Sequence, residues 1–459
     1  MKQRRSGRVI VVLLGLVLGL VCLLAAGCGT ASPARETSAS HSSTTGQVPP
    51  SNRGSGSTVG TSLSSADAPS STTSAAPVAS ALPLRKPVEV LSRTSNPWIF
   101  QPQFFGDKIA YLEVSGMNSP DPSALPTDAA IATVDIATRQ VAKVEAAKLQ
   151  VPAFTNGIFW PAWNLDTLPG SAGAGSEPLL VWTTADAQHT GNGIPRWDGL
   201  DGLSSTGEAR QILPADTLLL PPFRTGDFLV LPESSSAYEN ASSGNVGTTL
   251  GQRLLLLTDA AHDPAEVDPA APVLPASLLG NRSPYVSWYG FYHQTEDERL
   301  DLPGGPPKVF DLRTGKLVTI NVESPRAPIQ YQDVEVAGTW VAWTVLEGDK
   351  SAPTWSLYLA DLETGKAQRV ASANASTGAP QIALSNDWLL WIDSSSKDLV
   401  GFHLPDMEPL RVKAAIKDER GASVQVAGDL ALLDVALDAG EVVTSIQISP
   451  SALVVVRLK

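Results

Sequence analysis

The sequence predicts an all-β chain, a β-propeller of seven four-stranded blades behind a signal peptide and a disordered tether. Six or eight blades are the alternatives. Three observations lead there. An aromatic-rich strand pattern recurs seven times between residues 106 and 433. A strand, tight turn, strand signature follows several of the copies. No amphipathic helical stretch of about 12 residues or more lies between them.

The N-terminus comes first. Lys2, Arg4, Arg5 and Arg8 precede an uncharged run from Val9 to Ala26, which ends in Leu24-Ala25-Ala26-Gly27-Cys28. A basic start, an apolar stretch and small residues before a processing point make a secretory signal over residues 1–27. With Cys directly after them, the segment resembles a bacterial lipoprotein signal. The resemblance implies cleavage before Cys28 and a lipid on its thiol. Where that family usually has Leu, three residues before the Cys, this chain has Ala25. An uncleaved transmembrane anchor is the alternative, since roughly 18 apolar residues just span a bilayer. Either reading expects the rest of the chain on the extracytoplasmic face of a bacterial cell membrane. Processing would remove Cys22 and take the formal charge from −13 to −17. It would leave no free thiol for catalysis.

Residues 28–84 read as the tether. From Gly29 to Leu84 there are 15 Ser and 8 Thr but only four charges, Arg35, Glu36, Arg53 and Asp67. All 28 aromatic residues lie beyond. Such a segment buries too little apolar surface to offset the entropy of ordering.

Residues 85–459 read as the propeller. Gly338-Thr-Trp-Val-Ala-Trp343 and Asn386-Asp-Trp-Leu-Leu-Trp391 are the clearest copies. Weaker ones end at Tyr111, Trp160, Leu231, Trp288 and Leu433. Residues 161–186 are left as an extra hairpin or an insertion. The second signature is Val134-Asp-Ile-Ala-Thr-Arg-Gln140, Phe310-Asp-Leu-Arg-Thr-Gly-Lys316 and Ala360-Asp-Leu-Glu-Thr-Gly-Lys366. Its Asp accepts backbone N–H groups inside the turn, and Gly315 or Gly365 supplies positive φ. Gly207 reads as another copy. Pro87–Leu91 reads as an outermost strand without its own blade, so it is expected to complete the blade that ends the chain at Ala452–Leu458.

These strand and turn motifs resemble the blades of TolB-like and WD-repeat-like propellers of bacterial envelopes. The resemblance covers most of residues 85–459 and implies fold more than function.

The chemistry read from the residues is sparse. Net charge of −13 speaks against nucleic acid as a partner. His41, His189, His262, His293 and His403 are scattered, with no His-Glu-x-x-His pair, so no zinc or other cofactor is expected. There is no Gly-x-Ser-x-Gly elbow and no phosphate-binding loop. The acidic stretches Glu296–Asp301 and Asp259–Asp268 lack ordered calcium-ligand spacing and read as solvated loops. Aromatic clusters give the one positive hint. Trp98, Trp163, Tyr289 and Tyr292 are the candidate binding aromatics, against a core role for most of their neighbours.

The expected function is a monomeric, lipid-anchored, non-catalytic module that binds a protein, peptide or glycan of the envelope. The alternative is an extracytoplasmic lyase or glycosidase with carboxylates at the propeller mouth. Buried, convergent ionisable groups in that mouth would favour the enzyme; a plain polar mouth would favour binding. For the anchor, Cys28→Ser should leave an unprocessed, unacylated precursor. An unlipidated mature N-terminus in the wild-type protein by mass spectrometry would remove the lipid.

Overall fold

A computed structural model describes residues 82–459 apart from 96, 117–127, 146, 148, 150–162, 169–177, 187–195, 198, 215–221, 234–252, 260, 269–270, 288–306, 323–327, 350, 375–378, 415–417, 438–440, 444–445 and 449. The signal, the tether up to residue 81 and both cysteines lie outside the described residues. No described helix is long and apolar enough to cross a membrane.

After β1 (Pro87–Arg93), blade 1 is β2 (Trp98–Phe105), β3 (Lys108–Ser115), β4 (Asp128–Asp135) and β5 (Val141–Lys143). Blade 2 is β6 (Trp163–Leu168), β7 (Leu179–Asp186), β9 (Leu200–Ser204) and β10 (Ala209–Leu213), with β8 (Arg196–Trp197) beside β7. Blade 3 is β11 (Phe223–Thr225), β12 (Phe228–Glu233), β13 (Arg253–Leu257) and β14 (Ala265–Val267). A four-residue helix, α1 (Ala276–Leu279), precedes blade 4, which is β15 (Tyr285–Ser287), β16 (Val309–Asp311) and β17 (Lys316–Leu317). Blade 5 is β18 (Pro328–Ala337), β19 (Trp340–Glu347), β20 (Thr354–Asp361) and β21 (Lys366–Asn374). Blade 6 is β22 (Ile382–Leu384), β23 (Trp388–Ile392), β24 (Leu399–His403) and β25 (Glu408–Val412). Blade 7 is β26 (Asp418–Ala427) and β27 (Leu430–Ala436), then, past the hairpin β28 (Glu441–Val443) and β29 (Ile446–Ile448), β30 (Ser451–Arg457). Its fourth strand is β1, antiparallel to β30 from Pro87↔Val456 to Arg93↔Ser451. The count is seven.

Strand alternation explains why the blades form a ring. On β19, Val341, Trp343 and Val345 enter the apolar layer shared with blade 4, while Ala342 and Trp340 enter the layer shared with blade 6. On β23, Leu389 and Trp391 face blade 5, and Trp388, Leu390 and Ile392 face blade 7. Trp343, Trp388 and Trp391 are 1%, 2% and 9% exposed, and Trp340 is half-buried. Both faces of these blades are covered, as the odd spacing of the tryptophans requires.

The repeated turns have the expected chemistry. Asp135, Asp311 and Asp361 accept from the N–H of Thr138, Arg313 and Glu363 at 2.7, 2.9 and 3.0 Å. Gly365, at φ 67°, returns its N–H to the Asp361 carbonyl at 2.8 Å. The apolar residue after each Asp is fixed too. Ile136, Leu312 and Leu362 are buried and donate their N–H to Asp107, Pro284 and Thr339, in the turns that open the second strands. At Gly207 the Asp role falls to Ser204, whose Oγ accepts from Glu208 N–H at 3.1 Å.

Two details differ from the sequence reading. The copy ending at Trp160 lies outside the described residues, and the second strand of blade 2 is β7, starting at Leu179. Residues 163–168 and 179–186, within the stretch left open, form that blade's inner hairpin. No Gly-Asp turn precedes Leu179, whereas Asn156-Gly157 upstream carries the sequence signal of one. Blade 4 has three strands among the described residues, because the stretch before β15 forms α1. Leu274 and Leu279 of that stretch are buried against blade 3, and Arg282 pairs with Asp259 at 2.7 Å.

At the start of the described chain, the Leu82 carbonyl accepts from Arg457 Nη1 at 3.1 Å. Trp388 tests the packing best, since it fills a layer and donates from Nε1 to Asp429 Oδ1 at 3.3 Å. Trp388→Ala should destabilise the domain by about 3–5 kcal/mol, and half-buried Trp340→Ala by clearly less. Denaturant unfolding measures both, and equal losses would contradict the layer assignment.

Candidate functional site

The first strand of a blade faces the axis. β26, β2, β6, β11, β18 and β22 touch one another in that order and back to β26, a closed circuit of inner strands. Blade 4 contributes none among the described residues, so β11 meets β18 directly.

An inner strand has one hydrogen-bonding edge with no strand beside it, and such edges need partners. Here side chains of the preceding inner strand supply them. Gln425 Nε2 of β26 donates to the Pro102 carbonyl of β2. Gln101 Oε1 of β2 accepts from Leu165 N–H of β6 at 2.9 Å. In blade 4, which lacks an inner strand among the described residues, β15 is served in the same way: Thr225 Oγ1 of β11 accepts from Ser287 N–H at 2.8 Å. Gln101 reaches its partner from a bulge between Phe100 and Gln103, at φ 48°. Asp333 sits in the matching bulge of β18, at φ 43°. Bulges re-aim side chains, and both of these do so at the axis.

Strand register then defines a tier. Phe105↔Lys108, Leu168↔Leu179, Thr225↔Phe228, Ala337↔Trp340 and Ala427↔Leu430 are the last pairs of five of the six described inner hairpins; the sixth, in blade 6, ends at Leu384↔Leu389 and has apolar Ile382 at the tier's distance. Two residues before each closing residue stand Gln103, Asp166, Phe223, Glu335 and Gln425. The tier therefore carries two carboxyls and two amides. Arg224 lies one residue beyond it on β11, and Asp333 two residues before it on β18.

Glu335 is exposed at its side chain, with protein gathered around it at longer range. The enclosing protein controls its ionisation, because it displaces the bulk water that would stabilise a carboxylate. Burial pushes Glu335 up to about 7; Arg224 opposes this, while Asp333 and Asp166 add to it. Asp166 is pushed up to about 6 by burial, against the pull of Arg224 and a 2.7 Å hydrogen bond from Thr167 N–H. Asp333 is raised by burial alone. Among the described residues no side chain hydrogen-bonds Glu335, and Arg224 acts on both carboxyls through space.

Of the aromatics named from sequence, only Trp98 has a described side chain. Trp98 opens β2 and packs against the core between blades 1 and 2. Trp163 opens β6, but its side chain, like Tyr289 and Tyr292, lies outside the described residues. Asp259, in the stretch weighed for calcium, is taken by Arg282 and by His262 Nδ1 at 2.8 Å. No described group of His, Cys, Asp and Glu is arranged to hold a metal ion. Sequence reasoning missed Asp166, Arg224, Asp333 and Glu335. One signal was available: Gln103, Phe223, Glu335 and Gln425 all stand three residues before a repeat glycine, Gly106, Gly226, Gly338 or Gly428.

No known protein family matches the chain, and no curated protein matches it. Solved structures similar to it include TolB from Acinetobacter baumannii, at 11% identity and TM-score 0.31 over 76% of this chain and 64% of that one. AztD of Citrobacter koseri is similar at 12% identity and TM-score 0.29, over 68% and 70%. The α-L-arabinofuranosidase Arb93A from Fusarium graminearum is similar at 10% identity and TM-score 0.35, over 81% and 97%. The fold rests on the sheets themselves: seven blades, with the first strand of the domain completing the last.

Proposed function

We propose that this protein is a lipid-anchored propeller on the extracytoplasmic face of a bacterial membrane, whose axial channel binds a polar group of an envelope glycan, peptide or protein. One observation carries the reading: the inner tier of Gln103, Asp166, Glu335 and Gln425. Amides both donate and accept, and carboxyls that titrate near neutrality can do either. Such a ring suits hydroxyl, amide or ammonium groups. Binding is preferred to catalysis because an acid–base pair has to be held in place by its surroundings. Among the described residues Glu335 has no hydrogen-bond partner, and Asp166 accepts from the backbone N–H of its own neighbour, Thr167.

A second reading stays open on a specific observation. Two convergent carboxyls at about 6 and about 7 are what an axial glycosidase or lyase would need at neutral pH.

Soluble protein incubated with cell-envelope glycan and peptide fractions separates the two. Binding predicts retention weakened by Glu335→Gln or Asp166→Asn, with no new product in the wild type. Product formation by the wild type, abolished in both variants, would replace binding with catalysis.

The tier also has a stability signature. A carboxyl raised on folding keeps its full contribution below its unfolded pKa and loses it as pH climbs through the folded one. Glu335→Gln should therefore raise Tm relative to wild type at about pH 8 and little at about pH 5. Thermal scans at both pH values measure this, and equal shifts would argue that Glu335 is not enclosed.

A further inference from the structure

The blade that closes the ring holds a carboxyl its own position does not call for. Counting four residues from the start of each second strand gives Leu112, Thr183, Pro232, Thr344, Ile392 and, in blade 7, Asp434. Thr344 and Thr183 are buried, and Thr183 Oγ1 donates to the Gly199 carbonyl at 3.0 Å. Asp434 has no such arrangement. Its Oδ1 is shut off from solvent and has no hydrogen-bond partner.

The surroundings of Asp434 are specific. It lies on β27, between Ser423 of β26 and Leu453 of β30. It shares its face with Leu430 and Leu432, which enter the layer between blades 7 and 1. β30 is the strand that β1 joins to complete the ring. We infer that Asp434 makes this closure a pH-responsive latch, tight while the carboxyl is neutral and loosened when it ionises.

The other charged and titratable groups facing this layer do not neutralise it. Glu113 of β3 is engaged by Arg93 of β1 at 3.9 Å and by Lys143 of β5 at 3.4 Å. Tyr111 of β3 is pushed up to about 12 by its burial and by Glu113, well above the range in question. Burial alone acts on Asp434 and lifts it to about 7. By linkage, what the neutral form contributes is complete below the unfolded carboxyl pKa and is lost as pH rises towards about 7.

Hydrogen exchange on the full chain tests this. The readout is opening of the β1–β30 amides relative to the β23–β24 amides of blade 6, whose inner strand carries no carboxyl; the ratio cancels the intrinsic effect of pH on exchange. In the wild type this ratio should rise by roughly a hundredfold between about pH 5 and about pH 8, tenfold for each pH unit up to the folded value of about 7. In Asp434→Asn it should stay flat, with Asp434→Leu, the residue blade 1 has at Leu112, as the second variant should the amide not fold. Glu335→Gln should keep the wild-type rise, which separates the latch from the channel. A flat wild-type ratio, or the same rise in the Asp434 variants, would overturn the latch.

Discussion

A sheet that is apolar on both faces has no stable existence beside water, and this chain makes seven of them. Blade 5 puts Val341, Trp343 and Val345 on one side and Ala342 with Trp340 on the other. Only a neighbour on each side can cover both, and the neighbours have the same need. A row of such sheets would end in two uncovered faces, whereas a ring has no ends. Closure follows from the burial requirement, and the antiparallel pairing of β1 with β30 is how one chain achieves it. The latch lies late in one end of the sequence and early in the other, so the ring cannot close until both termini are present. That long-range pairing carries a high loop-closure entropy, which the layer between blades 7 and 1 has to offset.

Closure has a consequence at the axis. Each inner strand brings an unpaired backbone edge to the channel, and edges of this kind are where chains add to one another. Gln425, Gln101 and Thr225 cover such edges one blade further round. Polar residues on the inner strands thus serve the fold before they serve any ligand. This sets a standard for reading the channel. Gln101 is explained by Leu165 N–H, and Thr225 by Ser287 N–H; Glu335 and Asp333 are explained by neither edge nor core. Blade 4 sharpens the point, because the stretch before it forms α1 and lets β11 approach β18. Arg224 meets the field of Glu335 across that gap.

The parts of this architecture that were legible in sequence are those enforced by local chemistry. Gly338 and Gly365 sit at positive φ where Cβ would press on Asn386 and on the Thr319 carbonyl, so the turns declare themselves. The Asp of each signature does the same through its hydrogen bonds, and Pro87–Leu91 announced the closing strand by having no blade of its own. Blade 2 was misplaced because its inner hairpin lacks that turn signal and its connection is long. The axial tier was hidden for a different reason. Asp166 and Glu335 are 169 residues apart in the chain, and only strand register puts them at one level. Trp98, which stands out in sequence as a large aromatic, is half-buried and packs against the layer between blades 1 and 2. Cys28 lies outside the described residues.

An internal repeat also provides its own control. Seven copies of one strand pattern show what a position needs for packing, because the same position is solved several times in one molecule. Two residues before the inner hairpin's last pair, the solutions are Gln, Asp, Phe, Glu, Ile and Gln. Four residues into the second strand they are Leu, Thr, Pro, Thr, Ile and Asp. A phenylalanine or an isoleucine in these series proves that the fold accepts an apolar residue there. The acids at those same positions work against burial, as the direction of every one of their pKa shifts shows. A group held where its charge is disfavoured, and where its sister blades manage without it, is kept for something other than packing. That criterion is what the proposals for Asp166, Glu335 and Asp434 rest on, whereas Trp343, Trp388 and Trp391 fill the walls between blades.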